Sequence, residues 1–238
     1  MGSREPAPLR SVPRAFVAGV PEELPERILL PEEDDKKFRN VLRLKSGDEV
    51  AILPGDGRLV RATLDGHSVR PVETVWPDTE PRRRLTLCLA MPKNDKLDES
   101  VRLGSEIGVA TFVLFPSDRT VVKWDEKKRE HRLRRLRAIA REAAEVSFRT
   151  RLPGIGLMLS LAEVLESYPN AQVLSEVEKV DAKMRTADEM TLVIGPEGGW
   201  SPREVEQIGE RAVTLGERVL RVDTAVASAC ALALLGDR

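Results

Sequence analysis

The sequence predicts an α/β protein in two parts: a small barrel-like β domain, then a larger domain on a mostly parallel sheet. Three observations carry that prediction. Short alternating strands fill the first third, punctuated by Gly, Asp and Pro turn residues. The stretch Pro77-Asp-Thr-Glu-Pro-Arg-Arg-Arg84 breaks the pattern with two prolines and a run of charges. From Leu85 onward, continuous apolar runs alternate with helical periodicity, as in a sheet covered on both faces. The expected division is a β domain over residues 1–76, a linker over 77–84 and an α/β domain over 85–238.

Each element follows from local pattern. Arg14 to Gly19 reads as a short strand, and Asp48 to Leu53 as another. Between them Glu32 to Leu44 suits a helix with Phe38, Val41, Leu42 and Leu44 on one side. Pro54-Gly-Asp-Gly57 is a hairpin turn whose residues tolerate positive φ. Leu59 to Leu64 alternates, and Ser68 to Val75 alternates again after the Asp65-Gly66 turn. In the second part Leu85–Met91 and Val109–Phe115 are buried strands flanking a helix over Asp95–Ile107. A long helix spans Asp125–Val146, with Leu133, Leu136, Ala140 and Ala143 inward and Arg132, Arg134, Arg137 and Arg141 outward. A short helix over Leu161–Tyr168 precedes strands at Ala171–Leu174 and Thr191–Ile194. The last helix, Ala225–Leu235, is small on every face, so it packs closely on another element or on a second subunit.

Composition removes several function classes. The two cysteines lie far apart inside apolar runs, which reads as reduced core thiols. The two histidines have no ligand-spaced partners, so no metal is expected. The GxxxxGK[ST], GxGxxG, HExxH and GxSxG signatures are missing, so nucleotide hydrolysis, zinc hydrolysis and serine-esterase chemistry lose support. The longest apolar stretch, Ala225–Leu235, is too short to span a bilayer, and the start shows no secretory pattern. A cytoplasmic location is expected, with no membrane partner. Net charge is −1, but Arg119–Arg151 carries 12 Lys/Arg against 5 Asp/Glu and Leu152–Glu217 carries 5 against 12. Such a dipolar chain can present a basic face to phosphate.

The chemistry concentrates in two loops. Thr191-Leu-Val-Ile-Gly-Pro-Glu-Gly-Gly-Trp200 runs from an apolar strand into a glycine-rich turn. Ser201-Pro-Arg-Glu204 follows as a capping box, so the turn is held between a buried strand and a fixed helix start. Glycines there let backbone groups approach a ligand at the carboxyl end of a strand. In the second loop, Leu215-Gly216 leads to Arg218-Val-Leu-Arg-Val-Asp-Thr224 before the Ala-rich helix, with Asp223 or Thr224 as natural N-cap. Arg221 and Asp223 would set a cation and an anion at the rim of a pocket, or form a structural ion pair.

These loops also carry a resemblance. Gly195-Pro-Glu-Gly-Gly followed by Leu215-Gly-x-Arg-Val-Leu-Arg-x-Asp-Thr-Ala225 resembles the RsmE family of ribosomal RNA methyltransferases, of the SPOUT superfamily. Pro13-Arg14-Ala-Phe, Val41-Leu-Arg43-Leu-Lys-Ser-Gly-Asp48, Glu106-Ile-Gly-Val109, Ser117-Asp-Arg119 and Ala144-Glu-Val-Ser-Phe-Arg149 fall in family order, so the likeness spans nearly the whole chain. There are departures. Arg102-Leu103 stands where the family has Gln-Lys, and Arg221-Val-Asp-Thr where it has Arg-Thr-Glu-Thr.

The resemblance implies an N-terminal PUA-like RNA-binding β-barrel and a C-terminal SPOUT α/β domain with a trefoil knot. It implies a homodimer through the C-terminal domain. It also implies S-adenosylmethionine as cofactor and methylation of uracil N3 at one position of 16S rRNA in the small ribosomal subunit. On that reading the cofactor meets Leu174, Ile194, Gly195, Pro196, Glu197, Gly198, Gly199, Leu215, Gly216, Val219 and Leu220. Asp223 or Glu197 takes the N3 proton while Arg221 faces a carbonyl oxygen, and RNA lies across Arg14, Arg43, Arg119 and Arg149. Two alternatives stay open: a non-catalytic RNA-binding or ribosome-assembly protein, and a methyltransferase of the same fold acting on ribose or another base.

Overall fold

A computed structural model describes residues 8–92, 94–120, 124–175 and 182–235. The chain divides into two compact units, Met1–Glu80 with Ala144–Arg151, and Pro81–Ala143 with Leu152–Arg238. A linear division at 77–84 does not contain the return of Ala144–Arg151 to the first unit.

The first unit is a five-stranded curled sheet. Its elements are β1 (Arg14–Phe16), β2 (Ile28–Leu29), α1 (Glu32–Lys36), β3 (Glu49–Leu53), β4 (Leu59–Asp65) and β5 (Ser68–Val75). Strand order is β1-β3-β4-β5-β2, with β1 parallel to β3 and the other pairs antiparallel. The β3–β4 turn needs glycine at 57, where φ is +108° and a Cβ would sit 2.8 Å from the Arg151 guanidinium. Pairing shifts by a bulge between Arg61 and Ala62, opposite Pro71, which has no N–H to give the ladder.

The strand β3 is buried from Val50 to Leu53 because apolar groups cover both faces. Val50 and Ile52 pack with Phe38, Val60 and Val69, while Ala51 and Leu53 pack with Phe16, Ala144 and Phe148. The helix expected over Glu32–Leu44 is shorter: α1 passes into a π-helical turn at Lys37–Val41. Phe38 is buried, whereas Val41 and Leu42 are exposed. The wider turn rotates them off the inner face, and Arg43, in the left-handed region at φ 56°, ends the run.

The second unit is an all-parallel sheet of β6 (Arg84–Ala90), β7 (Thr111–Phe115), β8 (Gly154–Leu157), β9 (Gln172–Leu174), β10 (Glu189–Ile194) and β11 (Ala212–Val213). Its order is β11-β9-β10-β6-β7-β8. Alternate side chains of β6 feed two cores. Leu85, Leu87 and Leu89 meet α2 (Asn94–Ile107), α3 (Glu126–Val146) and α6 (Val222–Leu234). Cys88 and Ala90 meet α4 (Leu161–Ser167) and the region of α5 (Pro202–Ile208) on the other face. That double cover explains why the strands read as unbroken apolar runs. Strands β8 and β11, only four and two residues long, have no alternation strong enough to stand out in sequence.

Chain direction across the sheet reverses between β6 and β10. The segment after β6 enters α2 on one face, and the segment after β10 enters α5 on the other. Their departure to opposite faces marks a topological switch point, and open α/β sheets take ligands at the carboxyl edge beside such a point.

Candidate functional site

The carboxyl ends of β9, β10 and β11 are neighbours, so the loops after them share one edge. Residues from all three meet in the core under α6: Ile194 and Val222 are buried there, and Leu174, Leu215 and Leu220 are half-buried against them. Both loops expected to build a pocket therefore come together. Gly199 (φ 69°) and Gly216 (φ 136°) hold the left-handed conformations that these turns require. Pro196 is buried, whereas Glu197, Gly198 and Val219 are exposed.

Gly195 is a glycine for a packing reason. A Cβ there would stand 2.9 Å from the indole of Trp200. That indole stacks on Phe115 with centroids 6.4 Å apart and donates to the Leu174 carbonyl at 2.9 Å. Trp200 thus ties the β10 loop to the ends of β7 and β9.

The expected capping box is present. Ser201 Oγ accepts from Glu204 N–H at 3.2 Å, and Glu204 Oε2 accepts from Ser201 N–H at 2.9 Å. Pro202 occupies the first helical position. Glu204 does more than the box requires: its Oε1 accepts from Asp118 N–H at 2.9 Å, in the loop after β7. Asp118 in turn accepts from Ser201 Oγ at 2.6 Å and pairs with Arg203. Those hydrogen bonds, from Arg203 and then Ser201, hold its carboxyl below the usual carboxylate range. Arg119 donates to the Gly198 carbonyl at 2.6 Å. The loops after β7 and β10 are consequently one hydrogen-bonded unit.

The other rim is the start of α6. Its N-cap is Arg221, with no side-chain capping bond, rather than Asp223 or Thr224. Asp223 lies inside the first turn, where Lys96 Nζ of α2 donates to its Oδ2 at 2.6 Å. Close packing of the small faces of α6 on α2 brings that lysine within reach. The Lys96 hydrogen bond holds the Asp223 carboxyl below the usual range. Its other oxygen, Oδ1, is buried with no hydrogen-bond partner among the described residues, an acceptor that a donor from a ligand would satisfy. Arg221 is exposed at the same rim.

The four arginines expected to meet RNA separate into two kinds. Arg43 and Arg119 are exposed. Arg14 is buried over the Phe148 ring at 4.4 Å and donates to the Leu9, Arg10 and Val12 carbonyls. Arg149, 4% exposed, donates to Glu80 Oε2 at 2.8 Å, while Glu80 Oε1 accepts from the Thr150 and Arg151 backbone. Both guanidinium groups serve the interior of the first unit, the opposite of what a phosphate contact needs. The partners of Lys96, Asp118 and Glu80 are not legible in sequence, because no spacing rule links residues 69 to 127 positions apart.

No helix among the described residues is long and apolar enough to cross a membrane. The thiols of Cys88 and Cys230 are both buried, and burial pushes each pKa up to about 12. They are inert core groups.

Comparison with known proteins gives the family. A family profile described as an RNA methyltransferase domain matches residues 79–234. Ribosomal RNA small subunit methyltransferase E of Bacillus subtilis is 30% identical over 207 residues, 78% of this chain and 81% of that protein. The protein of the same name from Mycobacterium bovis is 32% identical over 206 residues, 79% of each. Among solved structures, a ribosomal RNA small subunit methyltransferase E from Neisseria gonorrhoeae bound to S-adenosyl methionine superposes with a TM-score of 0.81. It is 26% identical, over 93% of this chain and 96% of that one.

Proposed function

Because this chain belongs to the RNA methyltransferase family, as a member of its ribosomal RNA small subunit methyltransferase E branch, we propose that it transfers a methyl group from S-adenosylmethionine to N3 of one uridine in 16S rRNA. The observation that carries the cofactor assignment is the meeting of two glycine turns and four apolar side chains at the carboxyl edge of β9–β11. Gly198, Gly199 and Gly216 leave the space a Cβ would take open or only loosely approached. Leu174, Ile194, Leu215 and Leu220 offer the apolar wall, with Pro196, Glu197 and Val219 at the rim. These residues fit a ligand that is part flat aromatic ring and part amino-acid chain.

The cofactor supplies an electrophilic methyl on a sulfonium, and transfer is an in-line displacement governed by positioning. Everything else falls to the chain. The N3–H of uracil must lose its proton as the methyl arrives, and negative charge on the ring must be held. We assign the proton to Asp223, on the support that Lys96 bonds Oδ2 and holds the carboxyl below its usual range while Oδ1 has no hydrogen-bond partner among the described residues. Arg221, two residues earlier and exposed, is assigned to a uracil carbonyl oxygen. Glu197, in the exposed turn, stays on the cofactor side. RNA is read by Arg43 on the first unit and Arg119 on the second, while Arg14 and Arg149 support the first unit from within. The same reading takes the enzyme as a cytoplasmic homodimer with the knotted passage of its superfamily.

Nucleoside mass spectrometry tests it. Protein, S-adenosylmethionine and small subunits lacking the modification should yield 3-methyluridine. A different methylated nucleoside would discard the uridine N3 target, and no methylation with no cofactor binding would discard the enzyme.

A further inference from the structure

Helix α3 carries a concentration of charge that the catalytic site does not use. From Lys127 to Arg141 it holds eight Lys/Arg and a single acid, Glu130. Arg135 is paired with Asp98, its Nη2 2.7 Å from Oδ2, and Arg141 has an interaction of its own. Lys127, Lys128, Arg129, Arg132, Arg134 and Arg137 have no side-chain hydrogen bond or ion pair among the described residues. All but the half-buried Arg132 are exposed. Leu136, Ala140 and Ala143 are buried, and helical spacing puts Lys127, Arg134 and Arg137 on the side away from them, the solvent face of a helix already anchored in the core.

This arrangement works against the helix. Lys128–Arg132, Arg129–Arg132, Arg132–Arg135, Arg134–Arg137 and Arg137–Arg141 are same-sign neighbours at i,i+3 or i,i+4. Such pairs destabilise a helix. A merely soluble surface would intersperse both signs. Six of the eight are arginine, whose planar fork matches phosphate oxygens in pairs, whereas lysine would solubilise equally well. Local charge of this density on a chain of net charge −1 answers to an external polyanion.

We propose that the outer face of α3 is a phosphate-binding track for the RNA substrate. It shares no residue with the two glycine loops and engages backbone phosphates of rRNA without reading bases. This rests on the methyltransferase reading above. The ten helical steps from Lys127 to Arg137 span about 15 Å, a length that fits several phosphates of one strand.

The test is the double variant Arg134→Gln, Arg137→Gln. It removes two charges and two repulsive pairs, Arg134–Arg137 and Arg137–Arg141, so the fold is kept, and neither residue belongs to the catalytic site. Each phosphate contact gives a log–log salt slope of about −0.7 to −0.9. At 0.15 M salt, against a 1 M reference, that is about four- to fivefold in affinity per contact. The double variant should raise KM for small subunits about 20-fold and flatten the salt slope by about 1.5. Its kcat and S-adenosylmethionine affinity should stay at the wild-type level. Wild-type KM and slope in a variant that still methylates would overturn the track, and so would a KM rise with no change of slope. Wild-type protein that methylates no rRNA would instead overturn the methyltransferase reading, which separates the two failures.

Discussion

Replacing Glu204 by Gln isolates the group that joins the loops after β7 and β10. Glu204 is 1% exposed, and its two oxygens accept from Ser201 N–H and Asp118 N–H, both at 2.9 Å. An amide in that space keeps one acceptor and turns an NH2 toward the other N–H. One charge-assisted bond is lost, the second becomes neutral, and a donor faces a donor. Hydrogen bonds to charged groups contribute about 1.5–3 kcal/mol, and an unmet buried donor costs about 1–3 kcal/mol. The expected loss is about 2–4 kcal/mol, or about 5–12 °C in Tm for a chain of this size. Guanidinium unfolding and calorimetric titration with S-adenosylmethionine measure both consequences. Affinity should fall as well, because loops no longer held in place must be ordered on binding. Glu204→Ala, which orphans both donors, should be worse than Glu204→Gln. A loss below about 0.5 kcal/mol with unchanged cofactor affinity would refute the linkage of the two loops.

Other consequences follow from the same physics. Glu80→Ala leaves Arg149 a buried cation without its carboxylate and orphans two backbone donors. A loss of about 3–5 kcal/mol is expected, and a chemical melt within 1 kcal/mol of wild type, at about the noise of such extrapolations, would count against it. The Asp223 carboxyl is depressed by Lys96, so its stabilising contribution is present above the unfolded value of about 3.9. It is lost as pH falls through the lower folded value. Lys96→Met should therefore flatten the acid limb of a stability–pH curve below about pH 4, and should slow methyl transfer in single-turnover assays. An unchanged acid limb would remove the pair from the account. With both thiol pKa values raised to about 12, neither Cys88 nor Cys230 should react with iodoacetamide at pH 8 until the protein is unfolded. Mass spectrometry reads the label, and native-state alkylation would contradict their burial.

The sequence by itself determined the class of the fold, the two glycine loops, the capping box and the family. Those features are local: an alternating or continuous apolar run, a turn residue tolerant of positive φ, Ser and Glu three apart. Local patterns also misled. Val41 and Leu42 keep helical spacing with Phe38, yet the π turn at Lys37–Val41 swings them into solvent. Only tertiary structure decided what the charged residues do, because an ion pair depends on where the fold brings distant segments. Arg14 and Arg149 look like RNA contacts in sequence, and the first unit buries both against Phe148 and Glu80. Lys96 carries no signature, and nothing in the Ser117-Asp-Arg119 segment names a partner for Asp118; α2 and the loop after β7 deliver them to Asp223 and to the α5 cap. Gly195 is required by the indole of Trp200. A sequence records which residues can bear charge or admit a close approach, and tertiary packing settles which of them meet, because it brings together segments that lie far apart in the chain.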